Sequence, residues 1–162
     1  MAVWQYQFHI VPASVHDVDP RKQLISRDGL FDAEALWLER NPEQDLFEEI
    51  GAWLPKTKSW SDEVIIFGKV ESHCLEVVIE NGNILDAGFR LDFSQDYDDM
   101  LRRMIEFVIR NGLAIISQQW KILELNLLSI KAVIERSAVH GVYHRLLRGE
   151  DPFSDPLQDE AY

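Results

Sequence analysis

A period-two alternation of apolar and polar residues between positions 63 and 93 restricts the fold more than any other feature of this chain. In its last part, Leu85, Ala87, Phe89, Leu91 and Phe93 alternate with Asp86, Gly88, Arg90 and Asp92. Alternation with this period is typical of β-strands that bury one face. The pattern predicts three consecutive strands, at about 63–67, 73–79 and 84–93, which form an antiparallel meander.

The Glu-Asn-Gly-Asn sequence at 80–83 is a hairpin signal between the second and third strands. A two-residue loop would set Val77 opposite Asp86 and place the apolar rows of the two strands on opposite faces. A three-residue loop at 80–82 sets Val77 opposite Leu85 and aligns the rows. We therefore predict the longer loop, with Gly82 in the left-handed conformation of a bulge.

An aromatic strand is predicted near the N-terminus, at 3–11. Trp4, Tyr6, Phe8 and Ile10 alternate with Gln5, Gln7 and His9, and Pro12 follows. His9 falls on the polar face of this strand and is interpreted as a surface histidine.

Residues 13–40 have no clear periodicity, because acidic residues, Pro20 and Gly29 interrupt them repeatedly. Short turns or helices are predicted near 14–18 and 32–39. Long connections without regular structure are often functional. Four large apolar residues of this segment must either pack in the core or be presented to a partner: Phe31, Leu36, Trp37 and Leu38.

Capping residues predict three helices. Asn41 followed by Pro42 predicts a helix that begins at 41 and ends at about 53, before Pro55. Ser94 or Asp96 caps a second helix that ends at about 111, and Asn126 caps a third that ends at about 137. The remaining predicted elements are strands at 113–117 and 120–125, a short helix or strand at 139–148, and a frayed or extended tail from 150 to 162.

Composition is that of a globular protein. The chain has 162 residues, of which 46% are hydrophobic, and we predict a single α+β domain at 1–150 with an acidic, flexible tail at 151–162. No apolar run approaches the roughly 20 residues of a membrane span, and no signal peptide is visible. The lone cysteine, Cys74, excludes an intramolecular disulfide and fits a reducing compartment. We therefore expect a cytoplasmic protein.

The net charge of −12 restricts the class of partner. Binding to nucleic acid or to anionic lipid depends on Lys and Arg side chains, so both are disfavoured. A basic protein partner is favoured, since the opposite charges would steer its association. The alternative is that the charge serves solubility alone.

No standard catalytic motif is present. The chain has no P-loop, no dinucleotide-binding glycine pattern, no His-Glu-x-x-His and no Gly-x-Ser-x-Gly. Cys74 is interpreted as a buried structural cysteine, although a nucleophile with a histidine base is the alternative. His140 and His144 have the i, i+4 spacing of a metal pair if their segment is helical, but Gly141 weakens a helix there and no third ligand is near in sequence. We predict no metal and no cofactor.

The polar face of the long strand is the first candidate for a binding surface. Six residues form the predicted partner-binding set: Glu76, Asp86, Arg90, Asp92, Trp60 and Trp37. The first four would form a charged surface on the sheet, and an exposed tryptophan is a common anchor for a partner. The alternatives are a solvated face with cross-strand ion pairs, and a Trp60 that covers the end of the sheet.

Several short motifs lie at intervals along the chain: Trp4-Gln-Tyr-Gln-Phe8, Leu54-Pro55, Ser59-Trp60-Ser61, Phe67-Gly68 and Arg90-Leu-Asp92. In these motifs the chain resembles a loosely defined group of small uncharacterised bacterial proteins. Members of such groups are similar to immunity proteins, which neutralise a cognate toxin in the cytoplasm. The resemblance implies a toxin-inhibiting role and brings no catalytic residues with it.

These observations predict an α+β fold with an antiparallel sheet of about five or six strands and two or three helices packed mainly on one face. The leading functional hypothesis is a non-enzymatic protein-binding module, in its most concrete form an immunity-type inhibitor of a basic toxin or enzyme. One alternative is an enzyme or small-ligand binder that uses His9, His73, His140 or Cys74. The other alternative is a homo-oligomeric structural protein, for example a homodimer.

Overall fold

A single antiparallel sheet of six strands organises the protein. The structure, a computed structural model, describes residues 1–152. The strand order is β2-β3-β4-β5-β1-β6, so the N-terminal strand lies between β5 and β6. The strands are β1 (Gln5–Pro12), β2 (Lys56–Thr57), β3 (Val64–Gly68), β4 (Cys74–Glu80), β5 (Asn83–Asp92) and β6 (Leu113–Ile116). The predicted α+β class and antiparallel sheet are confirmed.

Five α-helices accompany the sheet within residues 1–152, rather than the two or three predicted. They are α1 (Pro20–Gln23), α2 (Glu34–Arg40), α3 (Asp98–Arg110), α4 (Leu127–Glu135) and α5 (Ala138–Leu147), and 3-10 helices span Ala13–Asp17 and Glu48–Ala52. Asn126 caps α4 as predicted, because its side-chain oxygen accepts the N–H of Ser129 at 2.8 Å. None of the helices in this part of the chain is long and apolar enough to cross a membrane.

The alternating residues of β1 and β5 build the core as the sequence predicts. Tyr6 pairs with Leu91 and Phe8 with Phe89, and these side chains are almost completely buried. The helices close this core with apolar side chains of α2, α3 and α4: Leu36, Trp37, Leu101, Met104, Ile105, Phe107, Val108, Ile130 and Ile134.

The loop of the β4–β5 hairpin is shorter than predicted. Glu80 pairs with Asn83, so the loop consists only of Asn81 and Gly82, whose φ angles are 52° and 76°. Two positive φ angles are typical of a type I′ turn, for which Asn-Gly is a preferred sequence. The prediction of a three-residue loop is therefore wrong.

The extra residue lies inside β5 instead. The pairing shifts between Val78 and Ile79, which leaves Leu85 as the bulged residue. Val77 consequently pairs with Ala87 and not with Leu85. The apolar rows still share one face, because a bulge in the strand restores the alignment that the short loop alone would destroy.

Asn41 ends a helix and does not begin one. It lies after α2 in the left-handed conformation (φ 45°), and its N–H donates to the carbonyl of Trp37 at 2.9 Å. Asn tolerates this conformation, and a residue before proline disfavours the helical one. The predicted helix at 41–53 is therefore wrong, and turns followed by the 3-10 helix Glu48–Ala52 occupy this stretch.

For the C-terminal part of the chain, one prediction is wrong and another is confirmed. The strand predicted at 120–125 is absent, since this stretch makes only an isolated bridge between Ile116 and Ile122 and begins at Trp120 with a φ of 59°. Of the two alternatives for 139–148, the helix is confirmed as α5. Residues 153–162 of the predicted tail lie outside the described part of the chain.

Candidate functional site

Gly88 lies at the centre of the polar face of the sheet. It pairs with Glu76 on one side and with His9 on the other, so these three residues form one row across β4, β5 and β1. Asp86 and Arg90 lie two residues before and after Gly88 in β5 and share its face. A Cβ atom at Gly88 would be 3.1 Å from Nε2 of Gln7, so the glutamine amide lies over the glycine.

Two of the predicted binding residues neutralise each other on this face. Nη2 of Arg90 lies 3.3 Å from the carboxylate of Glu76, and the two side chains are only 18% and 26% exposed. A half-buried pair of this kind leaves little charge for a partner.

Asp92 is also engaged within the protein. Its carboxylate accepts hydrogen bonds from the Ser94 N–H at 2.9 Å and from Nε2 of Gln95 at 2.8 Å, and its backbone N–H donates to Nδ1 of His73 at 3.0 Å. Burial raises the pKa of Asp92, but the hydrogen bonds outweigh burial and hold the pKa below its usual value. Asp92 therefore anchors the end of β5, and it is only 5% exposed.

Asp86 is the one acid of the predicted set that has neither a base nor a side-chain hydrogen-bond donor as its partner within residues 1–152. Burial raises its pKa to about 6, and the negative charges of Asp32 and Glu76 add to this effect. No ion pair of Asp86 is found among residues 1–152. An acid with a pKa this close to neutrality is typical of a functional position.

The influence of Asp32 on Asp86 connects the sheet to the segment at 25–39. A bridge between Ile25 and Phe31 folds this segment back on itself, with a turn at Gly29 (φ 76°). The ring of Phe31 then stacks on His9 of the sheet with 4.1 Å between ring centres. This contact holds the segment against the polar face of the sheet at β1.

His9 is not a surface histidine. Burial lowers its pKa to about 4, so the ring is neutral at pH 7. Its Nδ1 is buried without a hydrogen-bond partner in the described residues. His9 lines a cavity of about 470 Å³ together with Phe31, Leu30 and Trp120.

A groove of about 300 Å³ lies between residues 23–26 and the start of α2. We call it the acidic groove: its lining residues include Asp32, Glu34 and Leu38, and Leu38 is 45% exposed. Oδ1 of Asp32 accepts the N–H of Glu34 at 3.0 Å, yet neither acid forms an ion pair with a base of the described chain.

The two predicted tryptophans have opposite environments. Trp37 is completely buried and packs on Phe47 with 5.9 Å between ring centres. It is therefore a core residue, and the proposal that it contacts a partner is corrected. Trp60 is 77% exposed in the loop before β3, so it does not cover the end of the sheet and stays a candidate anchor.

The structure does not gather the residues of the enzyme alternative. Cys74 is completely buried, and burial raises the pKa of its thiol to about 11, which suppresses the reactive thiolate. His73 accepts the hydrogen bond from Asp92, and His140 packs against Phe93. The cavity that contains His9 contains none of these three residues.

The sequence indicates the polar face and the long segment at 13–40, but no local pattern in it indicates the acidic groove. Asp32 and Glu34 looked like ordinary acids near a helix start, and nothing local indicated that Asp32 lies near Asp86. The nearest signal in the sequence was the length of the connection at 13–40.

Comparison with protein-family models, with curated proteins and with solved structures finds no match to the chain.

Proposed function

We propose that this protein is a non-enzymatic binding module for a basic protein, and that it acts as an immunity-type inhibitor that covers a cationic site of a toxin or enzyme. The acidic groove carries the proposal: two carboxylates without a basic partner, Asp32 and Glu34, line it beside the exposed side chain of Leu38. The reducing compartment that Cys74 indicates makes the cytoplasm the expected place of this encounter.

The charge around the groove favours a basic partner. Residues 17–49 contain ten acidic and four basic side chains, so this segment carries a net charge of −6, half of the −12 of the whole chain. A concentrated field of one sign raises the association rate of an oppositely charged protein and disfavours acidic competitors. Because such steering is screened by salt, the association rate is expected to fall as ionic strength rises.

The groove can hold one long basic side chain of the partner. The methylene stem of a Lys or Arg would lie on Leu38, while its charged end would reach Asp32 and Glu34. Leu30 is 67% exposed on the turn beside the groove. Leu30 and Leu38 would supply the apolar contacts that a charged interface needs for stability.

Asp86 couples this interface to pH. A cation beside Asp32 offsets the negative charge that helps to raise the pKa of Asp86, so the pKa of Asp86 falls when the partner binds. The complex favours ionised Asp86, and the affinity is therefore expected to increase as the pH rises through about 6.

The test uses the complete chain as bait at low ionic strength in lysate from the cells that express it, with chemical cross-linking and mass spectrometry. A captured basic protein is then purified and its affinity is measured by calorimetry. The double variant Asp32→Lys/Glu34→Lys is expected to lose at least about 100-fold in affinity, or about 2.8 kcal/mol.

The matched control is Glu106→Lys/Glu135→Lys, which changes the net charge equally at exposed positions of α3 and α4. We expect it to lose less than about threefold, through long-range electrostatics alone. Equal losses in both variants, or the absence of any captured basic protein, would contradict the binding proposal. A partner that binds tightly but keeps its full activity would contradict only the inhibitor role.

A further inference from the structure

Two histidines face each other on α5, away from the acidic groove. His140 and His144 are one helical turn apart, and their Nε2 atoms are 3.1 Å from each other. The helix is continuous through Gly141, so the weakness predicted for this residue does not break it. The i, i+4 spacing therefore brings both ring nitrogens to one point at the surface.

The separation of the two nitrogens matches that of two ligands of one metal ion. With metal–nitrogen bonds of about 2.0–2.1 Å, nitrogens 3.1 Å apart subtend an angle of about 100° at the metal. This angle lies between the values of square-planar and tetrahedral geometry, so no rearrangement of the helix is needed. In the metal-free state one ring donates its Nε2 proton to the other, and metal binding moves this proton to Nδ1.

Aromatic contacts hold the two rings in place. His140 packs on Phe93 at the end of β5 with 5.1 Å between ring centres, and Tyr143 contacts both Phe93 and His144.

We infer that His140 and His144 form a chelating site for one divalent cation of the imidazole-binding class, Cu²⁺, Ni²⁺ or Zn²⁺. No group of three or more potential ligands is found in residues 1–152, so water completes the coordination and the ion exchanges freely. The expected order of affinity places Cu²⁺ above Ni²⁺ and Zn²⁺. This site is independent of the proposed protein-binding function.

The experiment is a calorimetric titration of the full chain, without a polyhistidine tag, with NiCl₂, CuCl₂ and ZnCl₂. The wild type is expected to bind one ion, and His144→Ala is expected to bind at least about tenfold more weakly because the chelate is lost. The matched control is His16→Ala, which removes an exposed histidine from the 3-10 helix Ala13–Asp17. It is expected to bind as the wild type does.

A second measurement uses the wild type alone and therefore does not require any variant to fold. In the NMR spectrum of the wild type, substoichiometric Cu²⁺ is expected to broaden the ring signals of His140 and His144 before that of His16. Uniform broadening, a wild type that binds no more tightly than His144→Ala, or a loss of binding in His16→Ala would overturn the inference.

Discussion

Replacing Asp86 by asparagine is expected to stabilise the protein at neutral pH. In the folded protein, burial and the charges of Asp32 and Glu76 raise the pKa of Asp86 from 3.8 to about 6. The folded state therefore binds the Asp86 proton more tightly than the unfolded state does. The resulting stability is fully present below pH 3.8 and is lost as the pH rises through about 6.

The two pKa values set the size of the effect. They differ by about two pH units, and each unit corresponds to about 1.4 kcal/mol, so ionised Asp86 costs about 3 kcal/mol above pH 6. Asp86→Asn removes this cost, and the pKa of about 6 already includes the lowering effect of the hydrogen bond from the Ala87 N–H. The expected gain is therefore about 3 kcal/mol at pH 8.

The assay is urea unfolding of wild type and Asp86→Asn at pH 8 and at pH 4, followed by tryptophan fluorescence. The gain of about 3 kcal/mol at pH 8 should fall to less than about 1 kcal/mol at pH 4, where folded wild type already carries the proton. Glu106→Gln, which changes an exposed acid, is the control and should alter stability by less than about 0.5 kcal/mol. A gain that is the same at both pH values, or no gain at pH 8, would refute the electrostatic explanation.

Two further pairs of substitutions test the packing. In thermal melts, Gly68→Ala should destabilise the protein by at least about 3 kcal/mol, because Gly68 has a φ of 82° and its Cβ would lie 2.1 Å from the carbonyl oxygen of His73. Gly141→Ala, with open space around it, should stabilise α5 by about 0.5–1 kcal/mol in the same measurement. Trp37→Ala should cost about 3–5 kcal/mol in urea unfolding because this side chain is completely buried, whereas Trp60→Ala, with 77% exposure, should change stability by less than about 0.5 kcal/mol. A small effect at Gly68, or equal effects of the two tryptophan substitutions, would contradict the packing described above.

Local patterns were reliable where the residues of one element determine its structure. The alternation in β1 and β5 identified both strands and their buried faces, and the Asn126 cap identified the start of α4. Asn41 shows where this reasoning fails: a residue that suits both ends of a helix was assigned to the wrong end. The local sequence favours both assignments, and the packing of Trp37 in the core favours only one.

The candidate site was predicted only in outline. Glu76, Asp86, Arg90 and Asp92 do share the polar face, as a period of two requires. The partners of these charges could not be predicted, because the ion pair of Glu76 with Arg90 depends on cross-strand register. The hydrogen bonds to Asp92 come from the side chains of Ser72 and Gln95, which lie outside the strand. Of the three acids, only Asp86 has neither a base nor a side-chain hydrogen-bond donor as its partner within residues 1–152.

The sequence by itself determined the fold class, the buried face of each long strand and the acidic character of the surface, since these follow from periodicity and composition. The tertiary structure alone decided that Asp32 lies near Asp86, that Phe31 covers His9 and that Trp37 is inaccessible. Each of these contacts joins residues far apart in the chain. Such contacts form only when the whole core packs, and no short-range pattern records them.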